Sequence, residues 1–79
     1  MRNYKNLGAW QNGDELTFQI YRVTRHFPAE EMYGVTSQLR RAAYSVPANI
    51  AEGSGRESNA DYFRYLSMAR GSLAETEYF

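Results

Sequence analysis

The sequence predicts an all-α fold, an antiparallel up-down bundle of the four-helix type with three helices present in this chain. Apolar residues recur every three or four positions in three separate segments, which is the period of a half-buried helix. Each segment is bounded by a proline, glycine or capping signal. The chain has 79 residues, 43% of them hydrophobic and 15% aromatic, enough for one small folded domain over residues 1–79 and too apolar for disorder.

In the first segment Leu16, Ile20, Val23 and Phe27 form one stripe. Gly13, Thr17 and Thr24 lie beside it and Trp10 at its edge. A helix is expected from about Ala9 to His26, ended by Phe27-Pro28 because a residue before proline is pushed out of the α region. Asn12-Gly13 is also a turn signal, so a helix opening at Asp14 is the fallback. The second segment places Val35, Leu39, Ala42, Ala43, Val46 and Ile50 on one face and predicts a helix from about Tyr33 to Glu52. Pro47 lies inside it, removes a backbone hydrogen bond and predicts a bend. Asn49, just after the proline, is a candidate to satisfy the Ala43 carbonyl that Pro47 leaves unpaired. Gly53-Ser54-Gly55 supplies the left-handed exit common at helix ends. The third segment opens with Ser58 as N-cap and Asp61 three residues later, close to a capping box.

That third helix carries two apolar sides. Tyr62, Leu66, Ala69, Leu73 and Thr76 make one; Tyr65, Met68, Ser72 and Phe79 make another. An end helix of a three-helix bundle needs a single stripe, and soluble monomers avoid large exposed apolar patches. Tyr65, Met68, Ser72 and Phe79 are therefore expected at a contact between copies of the chain. So is Phe18, which points away from the stripe of the first helix toward Arg22 and Arg25.

Charge and composition remove several function classes. Nine basic and nine acidic residues give zero net charge, so no global field draws the chain onto nucleic acid. There is no cysteine, which excludes disulfides and thiolate metal sites and is compatible with the cytoplasm. The start lacks the apolar run of a secretory signal, and no stretch reaches the ~20 apolar residues of a membrane span. His26 is the only histidine, and Val23 stands where a di-metal bundle would need a glutamate three residues before it. Glu52 lacks a companion acid or base. Gly53-Ser54-Gly55-Arg56 lacks the Lys-Ser/Thr ending of a phosphate loop. No cofactor, metal or catalytic residue is expected, and the chain reads as a non-enzyme.

Arginine makes up eight of the nine basic residues, a bias that suits bidentate contacts with phosphate or carboxylate. Arg22, Arg25, Arg40, Arg41 and Arg56 are the candidates for nucleic-acid contact. Their structural alternative is pairing with Glu52, Glu57, Asp61 or Glu75 within or between chains. Residues 1–28 carry four basic and two acidic groups, and residues 57–79 carry two basic and four acidic. That polarity suits self-pairing as well as nucleic acid.

Several stretches carry a family resemblance. Ser37-Gln38-Leu39-Arg40-Arg41-Ala42-Ala43, then Ser45-Val46-Pro47-Ala48-Asn49-Ile50-Ala51-Glu52-Gly53, are the specific part. Phe63-Arg64-Tyr65-Leu66, Gly71-Ser72-Leu73-Ala74-Glu75-Thr76-Glu77, Trp10-Gln11, Tyr21 and Phe27-Pro28 fit at the right spacings. Over nearly its whole length the chain resembles the four-helix bundle family named for the protein encoded in 23S rRNA intervening sequences. That family includes the accessory variability protein of diversity-generating retroelements. The resemblance implies a ring-like homopentamer with no enzymatic activity. For the retroelement members it implies a reverse transcriptase partner and contact with RNA or DNA through basic surfaces. The chain departs from the family where it stops before a fourth helix. It also carries Gly13 and Thr17 where better helix formers or apolar residues are usual, which implies a weakened first helix.

Overall fold

A computed structural model describes residues 3–78. Its three α-helices are α1 Gly8–Thr24, α2 Ser37–Ser54 and α3 Asn59–Tyr78. A 3₁₀ turn over Tyr4–Asn6 precedes α1, opened by Asn3, whose side chain accepts from the Lys5 N–H at 3.2 Å. A second 3₁₀ turn, Ala29–Glu31, leads into a π-type segment, Met32–Thr36, ahead of α2. No described residue lies in a strand, and the all-α expectation holds.

Local chemistry explains where these elements begin and end. Asn12-Gly13 does not open a turn, since α1 runs through it from Gly8. Regular helix stops at Thr24, and Arg25 and His26 form a closing turn with N–H bonds to the Tyr21 and Val23 carbonyls, each at 3.2 Å. Regular α2 begins at Ser37, later than the Tyr33 expected, because Gly34 at φ −113°, ψ −110° leaves the helical path. Val35 therefore falls ahead of the regular helix and is exposed rather than core. At the start of α3 the Ser58 hydroxyl accepts from the Asp61 N–H at 3.1 Å, the expected N-cap.

The end of α2 differs from the exit that its glycines predict. No glycine among the described residues has a positive φ, so there is no left-handed exit. The helix tightens instead, with Gly55 N–H bonded to the Glu52 carbonyl and Arg56 N–H to the Gly53 carbonyl. Gly53 serves the packing of the helices, because a Cβ built on it would lie 2.6 Å from the Tyr65 Cβ. Its bare Cα lets α2 and α3 approach to near backbone contact.

The central element is α2, with α1 and α3 each packed along it. Gly13 lies against Val46 and Pro47, Thr17 bonds to Ala43, and Arg40 bonds to Thr24. Contacts that rise in number along α1 fall along α2, so the pair is antiparallel. Gly53 against Tyr62 and Tyr65 at one end, and Ala42 beside Ser72 further along, make α2 and α3 antiparallel too. Most of the buried apolar side chains are on α2: Leu39, Ala42, Ala43, Val46 and Ile50, joined by Ala69 of α3. Leu7, Trp10 and Leu66 close over them, half-buried.

The seam between α1 and α2 is not the apolar stripe of α1. Its contact line runs through Gly13, Thr17 and Thr24, about 70° round the helix from that stripe at 100° per residue. Gly13 and Thr24 are the buried residues of α1, while Val23, expected in the core, is 57% exposed. Small and hydroxyl-bearing residues suit the seam because Gly13 leaves room for Val46 and Pro47 and Thr17 serves the Ala43 carbonyl that Pro47 leaves unpaired. Leu16 is consequently turned sideways, off the seam.

Candidate interaction surfaces

Two surfaces stand out, and both follow from that seam. The first is an apolar groove of about 470 Å³ lined by residues of all three helices. Leu16 of α1, Val46 and Ile50 of α2, and Leu66 and Leu73 of α3 line it. Its floor is the core itself. Each of the three helices contributes apolar side chains, so the groove has the composition of a bundle interior left open along one side.

The second is a band of arginines and aromatic rings over the outer face of α1 and the start of α2. On α1 a shallow depression is lined by Glu15, Phe18, Tyr21, Arg22 and Arg25. Tyr21 is shared with a neighbouring depression that includes Tyr33, Arg40, Arg41 and Tyr44. The Arg40 guanidinium lies 4.6 Å from the centre of the Tyr21 ring, and its Nε–H donates to the Thr24 hydroxyl at 2.8 Å. Thr24 passes the chain on by donating to the Ile20 carbonyl at 2.7 Å. Arg22 is 3.7 Å from Glu15, both exposed, a pair of small energetic weight. Phe18 is 61% and Tyr33 96% exposed.

The structure thus brings four of the five candidate arginines together, Arg22, Arg25, Arg40 and Arg41, around Tyr21. Arg56 stands apart at the other end of α2. Its Nη2 is 2.7 Å from Glu52 Oε1 and 2.6 Å from the Tyr65 hydroxyl, and its guanidinium lies 4.8 Å from the Tyr65 ring centre. Arg64 approaches the same ring at 5.0 Å. Tyr65 is therefore engaged within its own chain, and Ser72 lines a cleft between α2 and α3 with Arg41, Ala42 and Ser45. Met68 is exposed at 45%. Phe79 lies outside the described residues. Phe63, Met68, Leu73 and Tyr78 are the exposed large apolar side chains of α3, and Leu73 lines the groove beside the half-buried Leu66.

Thr17, Tyr33 and Tyr44 were not among the candidate site residues of the sequence pattern. For Thr17 the available signal was the orphaned Ala43 carbonyl; Asn49 was the candidate donor, yet Thr17 reaches it at 3.1 Å from the neighbouring helix. For Tyr44 the signal was its place four residues after Arg40 on one helix face. His26 is exposed. Among the described residues no cluster of acidic or histidine side chains could hold a metal ion, and no helix is long and apolar enough to cross a membrane.

Fold and surfaces define an all-α bundle protein whose core opens along one side and whose outer face carries arginine and tyrosine. The family profile described as 23S rRNA-intervening sequence protein matches residues 5–79, and the chain belongs to that family. Among curated proteins none matches it.

Proposed function

We propose that this protein is a non-enzymatic, self-associating helical scaffold in which a second copy covers the groove between α1 and α3. One observation carries the reading: Leu16, Val46, Ile50, Leu66 and Leu73 line an open channel whose floor is the hydrophobic core. Apolar area left in water forgoes roughly 25 cal/mol per Å² that burial would return. A chain of this size has little stability to spare, so covering the groove stabilises fold and assembly together. Family membership supports the reading, since the resemblance implies a homo-oligomer. Light scattering on the purified chain is the test. A mass at least twice the 9.1 kDa of the chain is expected, and a monomeric species at every concentration overturns the proposal.

A second reading, contact with RNA or DNA, is favoured by the gathering of Arg22, Arg25, Arg40 and Arg41 beside the exposed rings of Phe18 and Tyr33. Arginine forks hold phosphates and rings stack bases. Binding to a labelled oligonucleotide that weakens linearly in log affinity with log salt would support it. Absence of binding at low salt rejects it.

A further inference from the structure

Tyr33 is 96% exposed, the highest value among the exposed large apolar and aromatic side chains described. It lies in the irregular stretch between α1 and α2. There a 3₁₀ turn over Ala29–Glu31 runs into the π-type segment Met32–Thr36, and Gly34, the next residue, sits at φ −113°, ψ −110°, off the helical path. Such backbone is hydrogen-bonded less well than an α-helix, so it opens locally at lower cost than the helices on either side. Thr36, 1% exposed, anchors the stretch where α2 begins. An enzyme that has to bend an acceptor residue into its own groove finds that residue here, with Glu30 and Glu31 just ahead of it. Behind the ring the charge is positive. Arg40 and Arg41 line the same depression as Tyr33 and Ser37. Arg40 is engaged with Thr24 through Nε, whereas Arg41 is exposed and makes no ion pair among the described residues. Regular α2 starts at Ser37, so the positive end of its dipole is at this place too.

We propose that Tyr33 is a phosphorylation site for a protein tyrosine kinase whose peptide groove is basic enough to take Glu30 and Glu31, and that Arg41, with Arg40, then holds the phosphate against the start of α2. In the transfer the phenol oxygen bonds to the γ-phosphorus of ATP and the bond to the β,γ-bridging oxygen breaks. ADP leaves, and the phenolic proton passes to the catalytic base of the kinase. The phosphate brings about −1.5 to −2 charge at neutral pH. Opposite arginines and at a helix amino end, that charge forms charge-assisted hydrogen bonds and orders the segment that carries it. Tyr78 is the contrasting case. It is 83% exposed but lies at the carboxyl end of α3 with Glu75 and Glu77, where a phosphate meets the negative end of a dipole and two carboxylates. The proposal rests on neither reading given above. It adds a switch to the arginine band, since a contact that the band makes through its positive charge is weakened by the phosphate.

Two measurements test this. The first is fragment mass spectrometry on the full chain, isolated with phosphatase inhibitors from the cells that encode it. A gain of ~80 Da, the mass of one phosphoryl group, is expected on the fragment that carries Tyr33. An unmodified Tyr33 overturns the proposal, whether or not Tyr78 carries phosphate. The second uses the full chain, ATP and a tyrosine kinase chosen because it accepts a peptide of residues 28–38. Tyr33→Phe should lose most of the phosphate uptake although the other tyrosines remain. Once Tyr33 is phosphorylated, amide hydrogen exchange over residues 29–37 should slow at least about threefold against the unmodified chain. Arg41→Gln leaves the Arg40–Thr24 bond in place and should remove half or more of that slowing. Equal uptake by Tyr33→Phe and wild type overturns the site. Exchange that does not slow, or that slows as much in Arg41→Gln, overturns the capture of the phosphate by arginine.

Discussion

The hydroxyl of Thr17 on α1 lies 3.1 Å from the carbonyl oxygen of Ala43 on α2, the oxygen that Pro47 cannot serve. In a regular helix that carbonyl accepts from the N–H four residues on, and proline has none. Thr17 also lies 2.8 Å from the Gly13 carbonyl, so its single proton is shared between the two acceptors. A residue that weakens α1 by helix propensity alone therefore compensates a defect in α2. Thr17→Val keeps the shape and removes the donor. It should cost about 1–2 kcal/mol, the penalty of leaving a part-buried carbonyl unsatisfied. Thr17→Ser should cost less, although it is the less isosteric change. Urea denaturation at one protein concentration measures both, and equal stability of Thr17→Val and wild type would reject the compensation.

Arg40 holds the closing turn of α1 against α2 from a position whose sequence pattern suggested phosphate contact. Its Nε–H bonds the Thr24 hydroxyl at 2.8 Å and its plane lies 4.6 Å from the Tyr21 ring centre. Thr24 is 2% exposed, so water cannot easily replace the lost partner. Arg40→Ala should lower stability by about 1–2 kcal/mol, and Arg40→Lys should recover little because an ammonium cannot reproduce the planar fork. In a double-mutant cycle with Thr24→Val the two losses should overlap rather than add. Full additivity would show that the bond contributes nothing.

Two glycines in helices should respond oppositely to alanine. At Gly53 a Cβ would meet the Tyr65 Cβ at 2.6 Å, and that carbon moves only if α3 moves. At Gly71 a Cβ meets nothing within 4 Å. Gly53→Ala should destabilise by about 1–3 kcal/mol through overpacking, despite the better helix propensity of alanine. Gly71→Ala should stabilise by up to about 1 kcal/mol for that propensity alone. Thermal unfolding of the two variants beside wild type checks the sign of each, and a stabilising Gly53→Ala would mean that α2 and α3 do not approach to backbone contact.

The number and order of the helices were legible because they depend on short-range periodicity and on signals such as Ser58 and Phe27-Pro28. Pro47 was legible as a defect, but its remedy was not. The donor came from Thr17, on another helix, and a single sequence holds no register between helices. The same gap explains the core. Val23 belongs to the apolar stripe of α1 yet is 57% exposed, because α1 meets α2 through Gly13 against Val46 and Pro47, Thr17 against Ala43 and Thr24 against Arg40. The glycines after α2 read as a turn signal, whereas Gly53 answers to Tyr65 on the next helix. For the candidate surfaces, arginine bias pointed to Arg22, Arg25, Arg40 and Arg41, but only the packing of α1 on α2 gathers them round Tyr21 and leaves Arg56 behind.

The proposed contact with a second copy falls on different residues of α3 in the structure and in the sequence pattern. Periodicity suggests Tyr65, Met68, Ser72 and Phe79, the last outside the described residues. The structure turns Tyr65 toward Arg56 and Ser72 toward α2, and opens the groove at Leu66 and Leu73. Leu73 is 37% exposed and Met68 45%, so truncating either disturbs the isolated chain little. Burying a leucine side chain stabilises by roughly 1.5–3 kcal/mol, and Leu73 is already part-covered. Leu73→Ala should therefore raise the protein concentration needed for half-assembly about tenfold, and Met68→Ala should change it less than about threefold. Light scattering across a dilution series reads both. If Met68→Ala disrupts assembly and Leu73→Ala does not, the groove is not the surface that copies share, and the contact lies on the flank of α3 turned away from α1.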